Sequence, residues 1–172
     1  CLMAAARNQI RDPDPEKTTV NDPTGELLEI AMKAMGTEPV DRYQTVQEFQ
    51  TAIREYQSHR ESVTLSSRAA ADLKKARQSN DYQDYSKALF AYEEARSMWE
   101  GNGAAAEGVV EVKFAYAAAA EAKGDFDLGM SLLDQKIPKQ QEMYARLKAA
   151  ADEINARQAR IEKMKKVGIG LV

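Results

Sequence analysis

The side chains that could act as catalytic acids, bases or metal ligands are scattered along this chain. His59 is the only histidine, and we place it at a helix end, where an imidazolium interacts favourably with the helix dipole. Adjacent carboxylates such as Glu93 and Glu94 diverge in a helix, so they are not placed to share a catalytic proton. The acidic turn at residues 81–84 lacks the glycine and terminal glutamate of a calcium loop.

Nucleophilic and redox chemistry are no better supported. The only cysteine, Cys1, can form neither an intramolecular disulfide nor a cysteine-based metal site. Serines and threonines are numerous, but a single histidine leaves them without an activating base. Thr18 and Thr19 stand in a proline-containing loop and are candidates for phosphorylation only. The sequence therefore predicts no catalytic residue, no metal site and no cofactor for this chain.

Composition predicts an all-α protein. The 172 residues suffice for one ordinary domain or two very small ones, and 44% hydrophobic with 30% charged residues is typical of a soluble, helix-rich chain. Alanine and long unbranched side chains dominate, and these lose the least freedom in a helix. A net charge of −3 argues against general nucleic-acid binding.

Apolar periodicity and breaker residues locate the helices. A proline-containing loop over residues 11–24 follows a short helix over 2–10. Further helices are predicted over residues 26–35, 45–58, 66–80, 84–99, 104–123, 126–135 and 138–166. Thr45 with Glu48 three residues later forms a capping-box pattern. The buried stripe of that helix is expected to be Val46, Phe49, Ala52 or Ile53, and Tyr56. The inward faces of the next two helices are expected to be Ala69, Leu73 and Ala76, and then Tyr85, Ala88, Leu89, Tyr92, Ala95 and Trp99.

The turn Glu38-Pro39-Val40-Asp41-Arg42-Tyr43 is the most informative segment. It follows Leu-x-x-Ile-x-x-Lys-Ala-Met and leads into Tyr-x-Thr-Val-x-Glu-Phe. Over about residues 1–59 this pattern resembles the last C-lobe helices of a bacterial eukaryotic-like serine/threonine protein kinase. The resemblance implies that Arg42 is the structural arginine that pairs with the glutamate of the Ala-Pro-Glu motif. A guanidinium suits that role because it is planar and always charged. The alternative is a solvent-exposed turn arginine beside Asp41.

The catalytic motifs of that family do not occur in these 172 residues. The glycine-rich loop, the Val-Ala-Ile-Lys strand, the His-Arg-Asp loop and Asp-Phe-Gly are all missing, although phosphoryl transfer needs them. ATP and Mg²⁺ are therefore expected only for a catalytic part outside this chain. The resemblance implies a parent protein kinase that works in the cytoplasm, at the membrane's cytoplasmic face if it is anchored.

Residues 68–141 resemble tetratricopeptide repeats. Ala88, Tyr92 and Ala95 stand where such a repeat packs its second helix, and Gly129 with Leu133 suggests another copy. Ala88 and Gly129 are 41 residues apart, whereas the family period is 34. An ordinary antiparallel helical bundle is the alternative. By the resemblance, the first helix of each hairpin would line a partner groove, with Phe114 and Glu121 as candidate contacts.

The last predicted helix is the basic part of an acidic chain. Residues 139–166 hold eight basic and four acidic side chains, a net charge of +4. Its apolar residues follow heptad-like steps of four and three, interrupted by Arg157: Met143, Leu147, Ala150, Ile154, Ile161 and Met164. The pattern predicts a capping helix or a helix that pairs with a second copy; a solvated outer face is the alternative.

The final six residues, 167–172, are apolar or glycine and follow a cluster of lysines. Such a transition is typical of the cytoplasmic edge of a membrane span, which needs about 20 apolar residues. We expect the parent protein to continue into a membrane anchor after Val172. A frayed tail is the alternative.

The sequence thus predicts four regions: a kinase-lobe remnant (1–60), repeat-like hairpins (61–138), a long capping helix (139–166) and the start of a membrane span (167–172). We expect a non-catalytic interaction and linker region that binds a protein or peptide, not nucleic acid. Self-association into a homodimer that promotes kinase activation in trans is the alternative. A small enzyme with an unrecognised site is a third reading.

Overall fold

The computed structural model describes the backbone of residues 25–169 and the side chains of residues 25–165. Within this range lie six α-helices and one 3-10 turn: α1 Glu26–Ala34, the turn Pro39–Asp41, α2 Val46–Ser79, α3 Tyr82–Met98, α4 Gly103–Ala122, α5 Phe126–Leu132 and α6 Pro138–Ile169. These residues contain no strand, and the all-α prediction is confirmed. The helix predicted over residues 2–10, the loop over 11–24 and the last three residues lie outside the described range.

Helix α2 is longer than the sequence suggested. The break predicted between residues 58 and 66 is wrong, because one helix runs through Val46–Ser79. No glycine or proline occurs between these positions, so the backbone bonds of the helix continue. The hydroxyls of Ser66 and Ser67 donate to Val63 O at 3.0 and 2.9 Å, so they are satisfied within the helix itself.

The chain divides into a first unit, residues 1–61, and a second unit, residues 62–172. In the first unit the Thr45 hydroxyl accepts from Glu48 N at 3.1 Å, as the capping box predicts. The Glu48 carboxylate accepts from Gln44 N at 2.8 Å, one residue earlier than the pattern requires. Two side-chain hydrogen bonds, one accepted by Thr45 and one by Glu48, therefore cap the N-terminus of α2.

The inward stripe predicted for the start of α2 is only partly buried. Tyr56 is buried, but Val46 is 67% exposed and Phe49 is 37% exposed. Periodicity places these side chains on one face, whereas burial requires another element to cover that face. Among the described residues of the first unit, Ile30 and Tyr56 are the buried hydrophobic side chains.

In the second unit each helix packs on the next one in the chain, α3 on α4, α4 on α5 and α5 on α6. Its larger core joins α2, α3 and α4 through small and aromatic side chains: Ala69, Leu73, Ala76, Tyr85, Ala88, Tyr92, Ala95, Ala105, Val109, Val112, Tyr116 and Ala119. The inward face predicted for the second half of α2 lies in this core, as does most of the face predicted for α3, and Leu89 packs against it. Alanines at the contact positions let the helix backbones come close together.

A smaller core holds α6 against α4 and the end of α5. Its buried members are Ala117, Leu133, Met143 and Leu147. Gly129 on α5 is also buried, and a Cβ built there would lie 2.9 Å from Leu147 Cδ1. Helix α6 therefore closes the second unit at the far side from α3.

Candidate functional site

The described side chains contain no group of three or more His, Cys, Asp or Glu residues that could hold a metal ion. His59 does not lie at a helix end as predicted, because α2 continues past it. Its Nδ1 lies 2.9 and 3.0 Å from the two carboxylate oxygens of Glu26. The histidine therefore ties α1 to α2 within the first unit.

Arg42 organises the turn after α1. Its Nε donates to Gly36 O at 2.7 Å, and its terminal nitrogen donates to Thr37 O at 3.2 Å. The side-chain amide of Gln44 donates to the carbonyl of Arg42 itself at 2.7 Å. The described partners of Arg42 are thus backbone carbonyls, and its guanidinium fixes the path of the chain into α2.

The residues expected to pack like a repeat lie in the interior of the second unit. Ala88, Tyr92 and Ala95 are all buried on α3. The facing residue on α4 is Gly108, whose position leaves no room for a Cβ beside the Tyr92 ring. Sequence reasoning missed Gly108, although an isolated glycine inside a helical pattern is a signal of close approach.

Phe114 and Glu121, the expected groove contacts, face α6. Lys139 Nζ lies 4.9 Å from the centre of the Phe114 ring. Arg146 donates from Nε and a terminal nitrogen to the two carboxylate oxygens of Glu121, each at 2.8 Å. This pairing lowers the pKa of Glu121. A partner that used these two side chains would have to compete with α6.

A second polar feature joins two turns of the second unit. Tyr82 OH donates to Asp125 Oδ2 at 2.5 Å, and Lys123 Nζ lies 3.9 Å from the Tyr82 ring centre. Lys123 also donates to Asn80 O at 2.6 Å. Burial and the bond to Asp125 raise the pKa of Tyr82 to about 12. This cluster therefore joins the turn before α3 to the turn before α5, and we call it the Tyr82 clasp.

The second half of α6 is left uncovered by the other described helices. Every side chain over residues 152–165 is exposed. The large apolar ones among them form a stripe, with Ile154 44% exposed, Ile161 45% and Met164 74%. We call these three residues the α6 stripe. It continues the heptad spacing of Met143 and Leu147, which are buried in the bundle.

A groove of about 250 Å³ lies where the α6 stripe begins. Its apolar lining includes Phe126, Leu128 and Ile154, and its acidic lining consists of Asp125 and Asp127. A groove with an apolar floor and carboxylates beside it suits an apolar side chain that is flanked by cationic residues. The groove and the α6 stripe meet at Ile154, and together they form the candidate interaction surface.

No helix in the described part of the chain combines the length and apolar character needed to span a bilayer. No family model matches the sequence, and no curated protein or solved structure is significantly similar to it. The function of the chain must therefore be argued from its own residues and their geometry.

Proposed function

We propose that this chain is a non-catalytic interaction and linker region of a bacterial serine/threonine protein kinase. Its helical hairpins present a protein-binding surface between the kinase lobe and a membrane anchor. The sequence support comes from the turn around Arg42 and the helices on each side of it. The single histidine of the sequence leaves its serines and threonines without an activating base, which favours binding over catalysis.

The arrangement of α2, α4 and α6 carries the proposal. Arg77 on α2 pairs with Glu111 on α4 at 2.7 Å, and Arg146 on α6 pairs with Glu121 on α4 at 2.8 Å. Helix α4 therefore contacts both α2 and α6, which supports the proposed repeat-like stack. Such a layer of helices is a common scaffold for binding extended or helical peptides.

The first unit supports the kinase connection through its exposed apolar side chains. Val40 is 77% exposed, and Val46 and Phe49 are also solvent-accessible. In a parent kinase, other residues of the lobe would cover part of this surface, so the exposure supports the proposed connection.

Two measurements test the kinase connection. The gene upstream of Cys1 should encode a glycine-rich loop, a His-Arg-Asp loop and Asp-Phe-Gly, and their absence would overturn this assignment. Calorimetric titration of the purified chain with ATP and Mg²⁺ should give no binding heat. Nucleotide binding or hydrolysis by the chain would instead favour an enzyme with an unrecognised site.

Hydrogen exchange tests the surface of the first unit. In a gene product that retains the upstream residues, amides over residues 40–56 should exchange more slowly than in this chain. The reason is that the exposed side chains of Val46 and Phe49 would be covered. Equal exchange in both proteins would contradict the proposed docking to a kinase lobe.

Self-association is the second candidate function, and the α6 stripe favours it. A heptad-spaced apolar stripe left open on a long helix is a common means of helix pairing. A dimer of the parent kinase would allow activation in trans. Light scattering across a range of concentrations tests this function, since a monomer at every concentration would contradict it.

A further inference from the structure

We infer that the exposed half of α6 pairs with the same segment of a second copy, in antiparallel orientation about a two-fold axis. This inference rests on the self-association proposed above, which is the alternative to the membrane-anchored linker, and specifies its surface, orientation and register. Antiparallel helices point their C-terminal ends in opposite directions, so this pairing excludes a membrane span that continues straight from α6. The evidence is the position of the α6 stripe, the distribution of charge along the exposed segment and the groove at its start.

Charge along the exposed segment separates into two ends. Asp152 and Glu153 make its start acidic, Arg157 and Arg160 lie in its middle, and Lys163 and Lys165 outnumber Glu162 near its end, which is therefore net basic. A parallel pair would place the two acidic ends together and the two basic ends together. An antiparallel pair places each acidic end beside the basic end of the other copy, which is electrostatically complementary.

The length of the exposed segment sets the register of the pair. Residues 152–165 are exposed, so if each exposed residue faces an exposed residue of the second copy, the two-fold axis passes near residue 159. Heptad spacing then places Ile154 opposite Met164 of the second copy, and Arg157 opposite Ile161. A register shifted by one heptad toward the bundle would bring Met164 against Leu147, which is fully buried.

The groove at the start of the stripe fits this register. Met164 of the second copy would lie over Phe126, Leu128 and Ile154, where a flexible thioether fills an irregular apolar space. Lys163 and Lys165 would lie beside the groove's carboxylate at Asp127. The two-fold axis fills both grooves at once, so the dimer is closed and leaves no open stripe for a third copy.

Two arginines are accommodated at the helix surface. Arg157 interrupts the stripe, and its aliphatic stem can pack along Ile161 of the second copy while the guanidinium stays in water. The two-fold axis also brings Arg157 and Arg160 of both copies near the centre, where these four side chains are exposed and screened by salt and Glu162 of each copy lies within one turn of them. The complementary contacts at the two ends act against this central repulsion.

Sedimentation equilibrium with a matched pair of variants tests the apolar contact. Ile161→Gln removes the central stripe residue, whereas Ala156→Gln places the same side chain on the opposite face of α6. We expect I161Q to raise the dimer dissociation constant by about tenfold or more and A156Q to leave it unchanged. Circular dichroism should show equal helicity in both. Equal dissociation constants for wild type and I161Q would overturn the interface.

Charge reversal tests the end contacts. D127K alone and the double variant K163E/K165E should each weaken the dimer several-fold. The combined triple variant should restore association toward the wild-type value, because the attraction returns with the signs exchanged. Additive weakening in the triple variant would contradict the predicted pairing of Asp127 with the basic end.

Spin-label distances test orientation, with Cys1→Ser to remove the native thiol. For labels at Ala149→Cys and Ala156→Cys, the antiparallel register predicts axial separations of about 30 Å and about 9 Å between identical sites. A parallel pair would give nearly equal distances at both. A dimer with equal distances would overturn this inference and leave self-association standing, whereas a monomer would overturn both.

Discussion

Asn102 donates from its side-chain amide to the hydroxyl of Ser62, 40 residues earlier, at 2.8 Å. Ser62 in turn donates to Ala95 O at 2.6 Å. The Asn102 Oδ1 accepts from Ala105 N at 2.9 Å, so the same side chain caps α4. Asn102 and Ser62 are both buried. One asparagine therefore connects α2, the end of α3 and the start of α4.

Asn102→Ala should lower the free energy of unfolding by about 3 kcal/mol. The substitution removes the α4 cap and leaves buried polar groups around Ser62 short of a partner. Urea denaturation of the purified chain measures the loss. Ser67→Ala is the matched control, because the Ser67 hydroxyl is exposed and bonds only to Val63 O within its own helix. A loss below about 0.5 kcal/mol for N102A would contradict the role of the network.

Gly108→Ala should destabilise the chain by about 2 kcal/mol or more, although alanine is the better helix former. The added Cβ would overlap the Tyr92 ring, which is buried against α4. Thermal unfolding compares this variant with Gly103→Ala, where nothing lies within 4 Å of the new Cβ. We expect G103A to be neutral or stabilising. Equal melting temperatures for the two variants would mean that α3 and α4 are not in close contact here.

Tyr82→Phe should reduce the loss of stability at high pH. The folded protein raises the pKa of Tyr82 to about 12 from an ordinary value near 10, through burial and the bond to Asp125. The neutral phenol is thus favoured in the folded state, so its stabilising effect is complete below pH 10 and is lost between about pH 10 and 12. Chemical denaturation of wild type and Y82F over that range measures the difference. Parallel curves would contradict the clasp.

Amides over residues 26–56 should exchange faster than those over residues 69–120 in the isolated chain. The described part of the first unit buries two hydrophobic side chains, Ile30 and Tyr56, whereas the second unit has two packed cores. Local opening is easier where fewer apolar contacts must be broken. Hydrogen exchange with mass spectrometry resolves the two ranges. Uniform protection would show that the first unit is as stable as the second.

Helix faces were largely predictable, and helix lengths were less so. The spacing of Ala69, Leu73 and Ala76 identified the buried face of α2, because 3.6-residue periodicity is a local property. The continuity of α2 was not predicted, since the apolar pattern changes near residue 61 and the two stretches were assigned to separate helices. The segment between them lacks a glycine or proline, so the helix continues through it.

The candidate site depended more strongly on tertiary structure. The apolar character and basic charge of the last helix were visible in the sequence, and so were Ile154, Ile161 and Met164 as a heptad series. That Met143 and Leu147 are buried while Ile161 and Met164 are exposed was not visible. The heptad spacing is the same along the whole helix. Which part of it stays exposed depends on where the neighbouring helices of the bundle end.

The sequence by itself determined the all-α class, the positions of most helices and the apolar face of each, because these follow from interactions within a few residues. Tertiary structure alone decided that α6 covers Phe114 and Glu121, that His59 pairs with Glu26 and that Asn102 meets Ser62. Each of these pairs joins residues more than 20 positions apart. Their contacts depend on how helices pack, which no local pattern of residues specifies.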